Sequence, residues 1–204
     1  MENAYCSVSQ LESYLMTDIS SSFEPFVERY IEAASRFIDN YTNREFGQKS
    51  ESRYFIIKNP REILFDDIYA ISSIEIYNYD ESVVSRTLES SEYNLYPLNN
   101  DRGIVSKNRL VIKSGFPGLI TNRKVKITGN WGVSSSASGE TPRDIEFACV
   151  VLSAEAVRMG RDGGLSSSES LGDYSVSFEK VLETDTKLVN VKEVLNRYKI
   201  MEVF

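Results

Sequence analysis

The periodicity of the apolar residues changes twice along these 204 residues, and this change constrains the fold more than any single motif. Towards both ends, apolar side chains recur at the spacing of one helix face. Between about Arg53 and Gly129, β-branched and aromatic residues dominate, and several segments alternate apolar with polar residues, as half-buried strands do. The pattern predicts an α+β fold: a bundle of about four α-helices with an inserted small antiparallel β subdomain.

Two helices are predicted before the β-rich region. In the first, Ser9 and Glu12 have the spacing of a capping box, and the helix is expected to run through Leu15. The second is the clearest, because Pro25 suits its first turn and a one-sided apolar stripe follows. Gly47 is its expected stop.

The strands are expected between the second and third helices, separated by turn signals such as Asn59-Pro60 and Pro117-Gly118. A third helix is then predicted, with Thr141 as its cap and Pro142 in its first position. A last helix is predicted over Val189–Lys199. The strand candidates are Arg53–Ile57, Ile71–Tyr79, Tyr93–Tyr96, Arg109–Lys113 and Lys124–Thr128.

This order divides the chain into three parts. Residues 1–50 are expected to form the N-terminal helices of a core, and residues 51–133 the inserted β subdomain. Residues 134–204 return to the core helices and include a flexible loop at 160–172. The serine-rich stretch 134–139 has the composition of a flexible linker.

The last residues form an apolar C-terminal tail, although chain termini are usually polar and mobile. Such a run of exposed apolar side chains either binds a partner or docks on its own core, and the sequence leaves both open. Its apolar residues are Ile200, Met201, Val203 and Phe204.

The charge balance and the lack of histidine argue against several classes of function. With 30 acidic and 23 basic residues the net charge is −7, whereas proteins that grip phosphates need a surplus of cations. A protein that surrounds DNA without binding it tightly is compatible with this negative charge, because like charges prevent the DNA from sticking. Without histidine, Ser-His-Asp and Cys-His catalysis are impossible. No phosphate-binding loop or dinucleotide motif is present, so we expect no cofactor and no enzymatic activity.

Cysteines and acidic pairs give no clear site either. Cys6 and Cys149 lie far apart and outside any CxxC pair, so the sequence indicates neither a disulfide nor a zinc site. Asp66-Asp67 is expected to be a pair of solvated loop carboxylates rather than a calcium site. With no signal peptide and no apolar stretch of membrane-spanning length, we expect synthesis in a reducing cytoplasm and no membrane contact.

Four segments follow one another in an order that is typical of one protein family. The last of them, with the sequence SESLGDYSVSF, is the most specific. The segments are Tyr5–Leu15; Ala33–Tyr41 with Arg44-Glu45-Phe46; Val125–Gly132 with Thr141–Cys149; and Ser168–Phe178. Together they resemble the head–tail connector (adaptor, or head-completion) proteins of tailed bacteriophages, although many small members of that family are mostly helical.

The resemblance implies a non-enzymatic structural subunit of the virion neck, assembled in the cytoplasm of the bacterial host. About twelve copies would form a dodecameric ring between the portal protein and a stopper or tail-completion protein. DNA would pass through the lumen without tight binding. The implied contacts with the portal or a neighbour are Tyr198, Ile200, Met201, Val203 and Phe204. The implied inter-subunit loop contains Glu169, Ser170, Gly172, Asp173 and Tyr174.

Three alternatives stay open at this point. A stopper (head-closure) or other neck protein is the nearest. A small binding module could instead use the β subdomain, with its many tyrosines, to hold a host protein or a ligand. A hydrolase that depends on two carboxylates would need a cleft that brings them together, and the sequence cannot place them in space.

Overall fold

A computed structural model describes residues 4–59, 61–78, 81–99, 104–113, 123–163 and 189–200, without the side chains of 160–163. These residues form four helices and a six-stranded antiparallel sheet, which confirms the α+β class. The helices are α1 (Val8–Leu15), α2 (Glu24–Thr42), α3 (Arg143–Gly163) and α4 (Val189–Tyr198). The strands are β1 (Lys49–Ile56), β2 (Glu62–Tyr77), β3 (Val84–Thr87), β4 (Tyr93–Tyr96), β5 (Lys107–Ile112) and β6 (Lys124–Trp131).

The chain divides into two compact units. The helical unit consists of Met1–Arg44 and Arg143–Phe204, and the sheet unit is Glu45–Pro142. The predicted boundaries of the β subdomain, 51 and 133, both lie inside this sheet unit.

Helix α1 begins with a capping box two residues earlier than predicted. The amide of Gln10 donates to Ser7 Oγ over 3.2 Å, and the amide of Ser7 donates to Gln10 Oε1 over 2.7 Å. The prediction of Ser9 and Glu12 as the capping pair was therefore wrong. Instead, Glu12 accepts a hydrogen bond from the amide of Ile19 at 2.9 Å, which holds the chain after the helix. Overlapping serines with the same spacing made the sequence signal ambiguous.

Helix α2 ends at a residue other than the one expected. Asn43 adopts a left-handed conformation (φ 54°) and its amide donates to Asp39 O, so the helix stops before the predicted Gly47. Asparagine is the residue that most readily replaces glycine in this role. Helix α3 begins at Arg143, one residue after the predicted first position.

Helix α3 is the central helix of the helical unit. Ala148–Ala154 are all buried, so apolar or small side chains cover its whole circumference. A helix of this kind needs neighbours on every side. It packs against α2, α1 and α4, which together provide that cover.

The sheet has the strand order β1-β6-β2-β5-β4, and β3 also pairs with β2. Strand β2 is 16 residues long; its first part pairs with β5 and its second part with β6 and β3. Register shifts interrupt its pairing, as at bulges that bend a strand. The sequence predicted only the second part of β2, because Asp66-Asp67 interrupts its apolar alternation. The interpretation of these two residues as a loop was wrong.

The core of the sheet unit gathers around Trp131, which is fully buried. Phe55 and Phe65 pack against its ring, with centroids 5.8 and 6.1 Å away. The indole Nε1 donates to Glu51 O over 3.0 Å, so the one polar atom of this side chain has a partner. These contacts join β1, β2 and β6.

The serine-rich stretch 134–139 is a hydrogen-bonded turn rather than the flexible linker that its composition indicates. Ser134 is buried, and its hydroxyl donates to Glu140 O over 2.9 Å. The amides of Ser134 and Ser135 donate to Ser106 Oγ and Glu140 O respectively. Gly139 has φ +88°, a conformation that favours glycine. In this turn, serine hydroxyls form the hydrogen bonds that backbone groups would otherwise form with one another. The composition of the segment alone cannot reveal these bonds.

Candidate functional site

The expected contact residues divide into two groups. Tyr198 and Ile200 are described, whereas Met201, Val203 and Phe204 lie outside the described residues. The predicted inter-subunit loop, comprising Glu169, Ser170, Gly172, Asp173 and Tyr174, lies outside them as well.

Tyr198 fixes the end of α4 against α3. Its hydroxyl lies 2.8 Å from Asp144 Oδ1 and 3.0 Å from Oδ2, and the residue is only 5% exposed. Burial, together with the hydrogen bond and the negative charge of Asp144, raises the pKa of the Tyr198 phenol. The phenol therefore stays protonated and keeps donating to the carboxylate.

The chain after α4 is held at the C-terminal end of α2. The amide of Ile200 donates to Thr42 O over 3.0 Å, and Arg44 Nη1 donates to Tyr198 O over 3.5 Å. Helix ends carry carbonyl groups without partners in the helix, and Ile200 satisfies one of them. Ile200 as a whole is 41% exposed.

Helices α2 and α4 also meet along their sides. Tyr41 donates its hydroxyl to Asn196 Oδ1 over 2.9 Å, and Lys199 Nζ lies 4.7 Å from the centroid of the Tyr41 ring. We call the set Thr42, Arg44, Asp144, Tyr198 and Ile200 the C-terminal anchor. Because the anchor fixes the backbone as far as Ile200, the residues that follow start from a defined point on the helical unit.

A second candidate surface lies on the sheet unit. Tyr54 of β1, Lys124 of β6 and Tyr77 of β2 lie on the same face of the sheet. Lys124 lies between the two tyrosine rings, with Nζ 4.6 Å from the Tyr54 ring centroid and 5.8 Å from the Tyr77 ring centroid. Tyr54 and Ile56 are 55% and 51% exposed. We call Tyr54, Ile56, Tyr77, Lys124 and Lys126 the aromatic face. Exposed aromatics of this kind are typical of protein interfaces.

Strand β1 borders the aromatic face and forms one edge of the sheet. It pairs with β6 in continuous register, and no other described strand pairs with it. The amide of Ile57 donates to Arg123 O, so the alternation of an antiparallel ladder directs the backbone groups of the even-numbered β1 residues away from β6. A long regular edge of this type can pair with a strand of another chain. The residues concerned are Ser50, Ser52, Tyr54 and Ile56.

Three carboxylates of the sheet unit surround Arg53. Guanidinium nitrogens of Arg53 lie 2.7 Å from carboxylate oxygens of both Glu51 and Asp66 and 3.3 Å from one of Glu45. The central guanidinium carbon, Cζ, lies 4.6 Å from the ring centroid of Trp131. Burial opposes ionisation of both Arg53 and Glu45. Nevertheless Glu51 and Asp66 raise the pKa of Arg53, and Lys49 and Arg53 lower the pKa of Glu45. The acids are thus engaged in ion pairs, which suits a structural role better than proton transfer.

Two properties of the described residues bear on other functions. No group of three or more Cys, Asp or Glu residues is placed to hold a metal ion there. Within the same ranges, none of the helices combines the length and apolarity needed to cross a membrane.

The fold is similar to that of chains in particles of a gene transfer agent (GTA). A chain from the virion of a native GTA particle is 13% identical with a TM-score of 0.59, and the match covers 97% of this chain and 90% of that one. A chain from the neck of an empty GTA particle, computed with C6 symmetry, has the same identity and coverage and a TM-score of 0.57. A third, from the neck of a native GTA particle computed with C12 symmetry, is 12% identical with a TM-score of 0.51.

These matches establish a shared fold over nearly the whole chain. No protein-family model matches the sequence, and no curated protein matches it.

Proposed function

We propose that this chain is a structural adaptor subunit of a phage-type neck, positioned between the portal and a stopper or the tail. The observation that carries the proposal is the fold likeness to GTA neck chains, which covers 97% of this chain and 90% of theirs. The order of the four family-like segments, from Tyr5–Leu15 to Ser168–Phe178, supports it independently of the fold.

The protein acts as one copy in a ring of about twelve, closed by head-to-tail contacts. The C6 and C12 symmetries of the similar neck structures support a ring of this kind. In such a ring each subunit presents two different faces to its neighbours. We assign one of these to the edge of β1 and the aromatic face, which a neighbouring copy would cover.

Hydrogen exchange tests this assignment. The amides of Ser50, Ser52, Tyr54 and Ile56 should exchange quickly in the isolated chain and slowly in the assembled ring, since backbone hydrogen bonds slow exchange. The odd-numbered amides of the same strand serve as the internal control, because β6 already protects them in the isolated chain. Equal exchange of the even-numbered amides in both states would contradict a contact at this edge.

The residues that follow the C-terminal anchor are proposed to dock on the portal. The anchor fixes Ile200 through its amide, so two truncations separate folding from docking. Removing 201–204 keeps the bond between Ile200 and Thr42 and should weaken binding to the portal ring while leaving the unfolding curve unchanged. Removing 200–204 should weaken binding as well and cost a small amount of stability. If the shorter truncation unfolds the protein, the tail belongs to its own core.

The charge distribution supports a role beside DNA without a grip on it. The sheet unit contains twelve acidic and twelve basic residues, whereas the helical unit contains eighteen acidic and eleven basic ones, so the whole net charge of −7 falls on the helical unit. Acidic surfaces repel phosphates and let DNA slide past. We expect no submicromolar binding of duplex DNA even at low salt; a salt-sensitive submicromolar affinity would contradict this.

The aromatic face also favours a second candidate, a module that holds a host protein or ligand on its sheet unit. Tyr54 offers an exposed ring for such a contact, Tyr77 is half-buried, and Lys124 lies between the two rings. The two functions differ in assembly. A chain that stays monomeric beside a portal ring, yet loses a partner in the variant Tyr54→Ser, would favour the module. A ring bound to the next component of the neck but not to the portal would instead assign it as a stopper.

A further inference from the structure

The two cysteines, which the sequence separates, lie in contact in the helical unit. Cys6 precedes α1, Cys149 lies in the second turn of α3, and their sulfur atoms are 3.3 Å apart although 143 positions separate them in sequence. Both thiols are free and buried, with exposures of 6% for Cys6 and 0% for Cys149. The spacing of the two cysteines in the sequence does not reveal this contact.

Neighbouring polar groups hold both residues in place. Ser35 of α2 accepts a hydrogen bond from the amide of Tyr5 at 3.1 Å, which fixes the backbone next to Cys6. The same hydroxyl lies 3.4 Å from Cys149 Sγ and donates to Ile31 O over 2.8 Å. One serine therefore positions the N-terminal segment and the cysteine of α3 against each other.

We propose that Cys6 and Cys149 are a disulfide site, which closes when the folded protein meets an oxidant after leaving the reducing compartment of its synthesis. The sulfurs of a disulfide are about 2.0 Å apart, so from the present contact of 3.3 Å the two sulfur atoms would have to approach by roughly 1.3 Å. A structural zinc site takes four ligands. Among the described residues no group of three or more Cys, Asp or Glu is placed to hold a metal ion, so the pair favours a disulfide over a metal site.

The oxidant is a low-molecular-weight disulfide, and the reaction is two thiol–disulfide exchanges. Cys6 is the more exposed of the pair and is reached by local opening of the N-terminal segment. Its thiol loses a proton to solvent, and its sulfur attacks the oxidant and expels one thiolate, which takes up a proton. Cys149 then loses its proton and attacks Cys6 Sγ, expelling the second thiolate. The two protein thiols become one disulfide, and the oxidant becomes two thiols.

The hydrogen bond between the two sulfurs raises the pKa of Cys6, and burial adds to the effect, while the same bond lowers the pKa of Cys149. Cys6 therefore reacts only after local opening of the N-terminal segment has broken this bond and exposed its thiol.

The disulfide would tie the start of α1 to the central helix α3. Closing so long a loop restricts the unfolded chain more than closing a short one, so the oxidised protein should resist denaturant better than the reduced one. The bond joins residues of the helical unit alone, so the proposal does not depend on the function proposed above.

The test is oxidation of the whole native protein. The protein is purified with a reductant, exchanged into oxidised glutathione without denaturant, and quenched with acid. Intact mass and a thiol titration in denaturant should report two free thiols before treatment and none afterwards, with the mass lower by two hydrogen atoms and without a glutathione adduct. The urea midpoint should rise on oxidation and return to its starting value when a reductant is added.

The variants Cys6→Ser and Cys149→Ser are the matched controls. Neither can form the internal bond, so their urea midpoints should not respond to glutathione in either redox state. The proposal is overturned if the native wild type keeps both thiols, if it carries a stable glutathione adduct instead, or if the internal bond forms only in denaturant. The wild-type experiment decides the matter even if a serine variant does not fold.

Discussion

The substitution Tyr198→Phe is the sharpest probe of the C-terminal anchor, because it removes one hydroxyl and leaves the buried ring in place. That hydroxyl lies 2.8 Å from a carboxylate oxygen of Asp144, and the tyrosine is 5% exposed. Hydrogen bonds to charged partners contribute about 1.5–3 kcal/mol. Since Asp144 is only partly buried, water can replace part of the lost contact. We therefore expect the free energy of unfolding to fall by about 1.5–2 kcal/mol.

The assay is urea unfolding followed by far-ultraviolet circular dichroism, which reports mainly on the helical unit. The matched control is Tyr41→Phe, which makes the same chemical change where α2 meets α4. Tyr41 donates to Asn196 Oδ1, a neutral and exposed partner, so its loss should cost less than about 0.5 kcal/mol. If the dependence of the unfolding free energy on urea concentration is the same in all variants, differences between their urea midpoints report differences in stability.

A double-mutant cycle assigns the effect to the pair. Asp144→Asn and Tyr198→Phe should each destabilise the protein, and the double variant should lose less than the sum of the two, with a coupling energy of about 1 kcal/mol or more. If Tyr198→Phe cannot be distinguished from Tyr41→Phe, or if the two changes at the anchor are additive, the pair does not hold α4 as described.

Three further predictions concern the sheet unit, whose single tryptophan, Trp131, provides a local fluorescence signal. Arg53→Ala leaves the three acidic partners without their shared cation and uncovers the indole, so the free energy of unfolding should fall by about 1–2 kcal/mol and the tryptophan emission should shift to the red. Arg53→Lys should recover only part of the lost stability, because an ammonium group cannot match the guanidinium fork. An unchanged urea midpoint in Arg53→Ala would contradict this prediction. The pKa of Glu45 is held below its ordinary value of 4.5, so the carboxylate stabilises the fold above pH 4.5 and this effect disappears as the pH falls further. Glu45→Gln should therefore lose less stability on acidification than the wild type. The same acid dependence in both proteins would contradict the ion pairs described. Gly129→Ala places a methyl group against the carbonyl oxygen of Ala70 and should destabilise the sheet unit by about 1–3 kcal/mol in the same fluorescence assay. An unchanged stability would refute the close approach of the two backbones at Gly129 and Ala70.

The sequence was most informative where one side of an element is buried. Helix α2 and strand β6 carry apolar residues at the period of their own geometry, and both were predicted with the right type. Strand β3 escaped prediction because all four of its residues are exposed, so no alternation marks it. The first part of β2 escaped because Asp66 and Asp67 interrupt the pattern in the middle of the strand.

The candidate sites depend on contacts that no local pattern encodes. Tyr198 could be singled out from the sequence, but its partner Asp144 lies 54 residues away and had a sufficient local explanation at the start of a helix. The aromatic face was foreseen only as a cluster of tyrosines, because the register of β1 on β6 decides which of them share a side. The contact between Cys6 and Cys149 likewise requires the packing of the N-terminal segment on α3.

The measurement that tests the proposed adaptor function most directly is native mass spectrometry of the full chain, alone and mixed with the portal ring of the particle to which the chain is proposed to belong. We predict a complex of one portal ring with one ring of this protein, with about twelve copies of this chain. The truncation that lacks 201–204 should form less of this complex at the same concentration. A folded chain that stays monomeric beside the portal at micromolar concentrations would contradict the adaptor function.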